Sequence, residues 1–124
     1  MFYEEKLTRD IIGAAIEVHK VLGPGLLESI YEECLSYELE RLGMNYERQK
    51  QVGIVYKDME LASHYRIDLV VEERVIVELK SIEAILPVHK AQLLTYLKLT
   101  KLKVGLIINF NTAVLKDGIR RMVL

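Results

Sequence analysis

The sequence predicts an α/β fold, with a sheet covered on both faces. Three observations carry that expectation. Residues 65–80, YRIDLVVEERVIVELK, read as two strands joined by a turn at Glu72, Glu73 and Arg74. One face is wholly apolar (Ile67, Leu69, Val71, Val75, Val77, Leu79), and the other carries Val70 and Ile76 among its charges. Residues 103–109, KVGLIIN, run apolar without alternation, as a strand buried on both sides does. Helical periodicity stands before the first strand and again between residues 80 and 103, which supplies cover for both faces.

The elements follow in order. After Thr8, the expected cap, Ile12, Ala15, Ile16, His19 and Leu22 recur at helical spacing, and Gly23-Pro24-Gly25 ends the helix. His19 is expected as a packed core histidine. A second helix spans residues 27–42, with Leu27, Ile30, Tyr31, Cys34, Leu35, Leu39 and Leu42 on one side and Gly43 as its stop. From Tyr46 the period changes to two, and Val52, Ile54 and Tyr56 mark a first strand. Lys57-Asp58 then turns the chain into the strand that carries Asp68. The break at Leu86-Pro87 opens a third helix over residues 88–100, with Ala91, Leu93, Leu94 and Leu97 inward and Gln92 and Tyr96 sharing a face. The apolar strand follows. A turn at Lys116-Asp117-Gly118 leads to a last edge strand with Arg120 and Arg121 outward.

Length and composition narrow the function. At 124 residues the chain is expected to be one domain, residues 1–124, with no room for a second recognition module. A net charge of −1 argues against a broad basic surface for non-specific nucleic-acid binding. The single cysteine, Cys34, excludes an intrachain disulfide and reads as a small buried hydrophobe. The N-terminal residues lack the pattern of a signal segment, and no apolar run is long enough to span a bilayer. The expected location is cytoplasmic, without a membrane partner.

The charges in the strand pair need a reason to be there. A three-residue loop centred on Glu73 sets Asp68 opposite Glu78 and Arg66 opposite Lys80. Two facing carboxylates repel, and burying them unpaired costs several kcal/mol each. A magnesium ion, which takes one or two carboxylates and completes its shell with water and phosphate oxygens, resolves the conflict. Lys80 projects to the same side as Glu78, about 7 Å along, where it can serve an attacking water. On spacing alone, a salt-bridge cluster of Lys80 and Arg66 with the two acids is an equal alternative.

Asp68, followed by Glu78-Leu79-Lys80 after an apolar strand, resembles the D-x(n)-E-x-K signature of the PD-(D/E)XK nuclease superfamily. Residues 25–31, GLLESIY, match the GxxExxY motif that names a small family within it. Gln92-Leu93-Leu94-Thr95-Tyr96 resembles the QxxxY motif of its RecB-like branch. The proline of the superfamily's name is here Ile67. The likeness covers nearly the whole chain. It implies a three-layer αβα sandwich, a restriction-endonuclease-like core with a mixed central sheet behind N-terminal helices. It implies that Asp68, Glu78, the Leu79 carbonyl and Glu28 hold magnesium or manganese, and that Lys80 serves the water. Gln92 would position substrate or lysine above Tyr96, and Arg66 and His89 would contact phosphate. The expected activity is magnesium-dependent hydrolysis of DNA, with a homodimer as one way to supply the missing DNA surface. A silent binding or assembly module, or a hydrolase of small phosphate esters, are the alternatives.

Overall fold

The structure is a computed structural model that describes residues 4–124. The expected domain span also takes in residues 1–3, which lie outside the described residues. Helices α1 (Glu5–Leu22) and α2 (Glu28–Arg41) are followed by strands β1 (Tyr46–Tyr56), β2 (Met59–Val71) and β3 (Val75–Lys80). Helix α3 (Pro87–Thr100), strand β4 (Val104–Asn109), a 3-10 turn over Leu115–Gly118 and strand β5 (Ile119–Val123) complete the order. The sheet runs β1-β2-β3-β4-β5. Among the described strands only β3 and β4 pair in parallel, and α3 is the crossover between them.

The layers follow from the strand pattern. Leu69, Val71, Val75, Val77 and Leu79, with Val104, Leu106 and Ile108 of β4, pack against Ile11, Ala15 and Val18 of α1 and Tyr31, Leu35 and Leu39 of α2. On the opposite face Val70, Ile76 and Ile107 meet Leu93, Tyr96 and Leu97 of α3. Burying each large aliphatic side chain contributes about 1.5–3 kcal/mol, so both faces help hold the strand pair. Gly105 allows the close approach of α3, because a Cβ there would lie 2.7 Å from Leu93 Cδ1.

Several expectations about faces need correction. Thr8 does not cap α1. The helix starts at Glu5, and the buried Thr8 hydroxyl bonds back to the carbonyls of Glu4 and Glu5. The buried stripe of α1 is Leu7, Thr8, Ile11, Ala14, Ala15 and Val18, while Ile16 faces solvent. In α2, Leu27, Ile30 and Leu42 are exposed, and Glu32 and Ser36 are buried beside Tyr31, Leu35 and Leu39. A lone apolar period fits more than one face, and the polar partners waiting on the sheet decide between them. Cys34 is half-buried against this core. In α3, Ala91 faces out and Tyr96 faces in. Ile67 packs on the α3 side, away from Leu69. The β1–β2 ladder skips one pair beside it, between Arg48↔Leu69 and Lys50↔Ile67, without a shift of register, where Gln49 takes a φ of 51.

Two contacts hold the helical layer to the sheet near its polar end. His19 is half-buried, its Nε2 2.8 Å from the Thr112 carbonyl. Tyr31 is fully buried, its ring stacked on Phe110 with centroids 4.2 Å apart. Its hydroxyl donates to the Gly23 carbonyl at 2.6 Å and accepts from the Leu26 N–H at 3.1 Å, which fixes the loop that leads into α2. Tyr31→Phe keeps the ring and orphans both loop groups, so urea unfolding should show a loss of about 1–3 kcal/mol.

Candidate metal centre

The β2–β3 hairpin closes in the expected register, Val71↔Val75, Val70↔Ile76 and Leu69↔Val77. Beyond Leu69 the strands part. Instead of the next ladder pair, the Asp68 N–H donates to Glu78 Oε1 at 3.2 Å, and the Leu79 N–H donates to Asp68 Oδ2 at 2.8 Å. Each carboxylate thus ties one oxygen to the backbone of the opposite strand. Past this point β2 stays with β1, through Gln51↔Arg66, and β3 stays with β4, through Lys80↔Asn109. The expected ladder pairing of Arg66 with Lys80 therefore does not form, because the strands have already separated.

The electrostatics of the parting are unbalanced. Glu78 is 7% exposed and Asp68 is half-buried. Burial, reinforced by the charge of Asp68, pushes the Glu78 carboxyl up to about 8. Burial also raises Asp68, aided by the charge of Glu32 and opposed by the Leu79 N–H bond. Lys80 is half-buried and its charge favours ionisation of both acids. Even so, among the described residues no ion pair joins Lys80 or Arg66 to either acid. The salt-bridge cluster that the spacing also allowed is not what the chain builds.

The donor set suits a hard divalent cation. Asp68 Oδ1 and the second oxygen of Glu78 are not held by the opposite strand's backbone, and carboxylate oxygens are the ligands magnesium takes one or two at a time. Among the described residues no group of three acidic, histidine or cysteine side chains gathers into a complete cage. Such a site would rely on water, backbone or substrate oxygens for the rest.

The neighbouring elements are fastened to the mouth of the parting. Glu28, exposed in the first turn of α2, accepts from the Ser81 N–H at 3.3 Å, and Ser81 Oγ donates to the Leu26 carbonyl at 2.6 Å. The start of α2 is thereby docked beside Lys80, and the charge of Glu28 reaches Glu78. Asn109, 2% exposed, accepts from the Ile82 N–H and donates to the Ile82 carbonyl, fixing the exit from β3. His89 Nδ1 accepts from the Leu86 N–H at 2.9 Å and so caps the start of α3. Tyr96 is buried with its ring 5.4 Å from Tyr65, and burial together with the charge of Glu78 pushes its hydroxyl up to about 12. Gln92 is half-buried on the same helix without a hydrogen bond to the acids, and Arg66 is exposed on β2. The sequence reading missed Glu32, Arg48, Gln49 and Asn109. A glutamate and a serine four apart inside an apolar helix pattern were the signal for the first.

The raised Glu78 value has a sign that can be checked. Between its ordinary value of 4.5 and about 8, the folded chain holds a proton that the unfolded chain has lost. Stability of the metal-free protein should therefore fall as pH rises from about 5 to 8, and Asp68 adds in the same direction. Glu78→Gln should remove most of that slope, measured by urea unfolding across the range.

No helix among the described residues is long and apolar enough to cross a membrane. Comparison with curated proteins and with solved structures finds no match. The family model of the PD-(D/E)XK nuclease superfamily matches residues 5–122. Nucleases of that superfamily generally use divalent metal ions and act on nucleic acid, which agrees with paired carboxylates on a parted strand pair. With its mixed five-stranded sheet between two helical layers and a match that runs nearly end to end, the chain belongs to the PD-(D/E)XK nuclease superfamily.

Proposed function

We propose that the chain is a magnesium- or manganese-dependent phosphodiesterase that hydrolyses DNA. Within the superfamily we place it with the GxxExxY proteins, on Gly25, Glu28 and Tyr31, with the RecB-like QxxxY motif at Gln92 and Tyr96. The observation that carries the reading is the pair Asp68 and Glu78, each tied by one oxygen to the backbone of the opposite strand and, among the described residues, in no ion pair with a cationic side chain.

Asp68, Glu78 and the Leu79 carbonyl would hold the cation, and Glu28, tied to Ser81 at the start of α2, would bear on it through a bound water. When bound, the cation would neutralise the acids and polarise the scissile phosphate. Lys80, near Glu78 and without an ion-pair partner among the described residues, would donate to the attacking water to orient it and neutralise charge that develops on the phosphorus centre. Gln92 would steady the substrate or Lys80 above Tyr96. Arg66 and His89 would contact flanking phosphates as donors. The protein would act in the cytoplasm as one domain, and pairing of two copies would extend the surface offered to DNA.

Pure protein incubated with labelled single-stranded, duplex and branched DNA, with magnesium or manganese, tests the reading. Cleavage should need the cation and disappear in Asp68→Asn and Glu78→Gln. Lys80→Met should lower kcat by about 10²–10⁴-fold with little change in KM. Metal binding without cleavage of any polymer would leave a binding module, and hydrolysis confined to nucleotides would leave a small phosphoesterase. Light scattering tests the pairing.

A further inference from the structure

Glu32 is buried on α2, and two consecutive residues of β1 reach it. Arg48 Nε donates to Oε2 at 3.0 Å, and Gln49 Nε2 donates to Oε1 at 2.6 Å. Neighbours in a regular strand send their side chains to opposite faces. The exception is made by the backbone, since Gln49 has φ 51 in the left-handed region. It also sits at the interruption of the ladder, between Arg48↔Leu69 and Lys50↔Ile67, where the residue across from it is Asp68. The same carboxamide nitrogen lies 3.4 Å from Asp68 Oδ1.

Docking α2 does not require this. Arg48 already gives Glu32 a charged partner from a regular strand position. The left-handed turn at Gln49 adds a second link, from Glu32 across to the acid whose other oxygen is bound to Leu79. Glu4, Lys57, Glu72, Glu73 and Lys101 take this conformation at turns and helix ends, whereas Gln49 takes it inside a strand, where its neighbours have to hold it.

We propose that Gln49 is a positioning residue of the metal centre: its carboxamide, anchored on Glu32, fixes the plane of the Asp68 carboxylate so that Oδ1 is presented to the cation. The proposal rests on reading Asp68 and Glu78 as the cation's ligands. One lone pair of Oδ1 takes the amide N–H, and the other is left for the metal. Oδ2 is already committed to Leu79, so the two bonds together remove the rotation that would turn Oδ1 away.

Calorimetric titration of manganese into the whole chain, paired with an unfolding midpoint for each variant, tests this. Gln49→Met keeps the side chain's length and removes the donor, and it should weaken manganese binding about tenfold or more. Arg48→Met removes an equal partner from Glu32 and nothing from Asp68, so its affinity should stay within about twofold of wild type. Unchanged affinity in Gln49→Met overturns the proposal. Equal weakening in both variants also overturns it, because the loss would then come from the docking of α2. Absence of manganese binding in the wild-type chain, or undiminished binding in Asp68→Asn, removes the ligand reading itself and the role of Gln49 with it.

Discussion

Two carboxylates cannot face each other in a dry ladder, and the fold is arranged around that fact. Up to Leu69 and Val77 the hairpin closes as an ordinary apolar pair. At Asp68 and Glu78 the strands give up their mutual backbone pairing for crossed bonds, each from a backbone N–H to the opposite acid. Those bonds satisfy donors that the parting would otherwise orphan in a partly buried place. The opening is kept in shape from both sides, by β1 along β2 and by β4 along β3.

Helix α2 gains its meaning from the same opening. Glu28 and Glu32 are four residues apart and share a helix face. The first is tied to Ser81 at the exit of β3, the second to Arg48 and Gln49 on β1. One helix thus holds both margins of the parting, at the β3 end and at the β1 end. Tyr31, between them in sequence, anchors the helix in the core through Phe110. The apolar residues of α2 bury the layer, and its acids set its position along the sheet.

Much of this was legible in the sequence for a physical reason. A strand buried on both sides has to be apolar throughout, so β4 announced itself at residues 103–109, and period-two alternation with a three-residue loop fixed the β2–β3 register. Charges set in such strands stand out because burying them is costly. The helix faces were less legible. Leu27 and Leu42 carry apolar side chains that end outside, while Glu32 ends inside because Arg48 and Gln49 arrive to meet it. Such a polar contact, across 16 or 17 residues, leaves no local period to read. The interruption at Gln49 was equally silent, since glutamine has no preference for a left-handed backbone and only tertiary contacts keep it there.

The order of the strands also governs the order of assembly. The β2–β3 hairpin closes a loop of three residues, whereas β3 can pair with β4 only after α3 has crossed over. Local closure costs little chain entropy and non-local closure costs more, so the hairpin is the fast event and the parallel pairing the slow one. Asp68 and Glu78 therefore meet while still hydrated, and their water is stripped only when β4 and α3 close over the sheet. Burial of the acid pair is then expected on the late side of the folding barrier, where a change to either acid should alter how long the folded chain survives more than how quickly it forms.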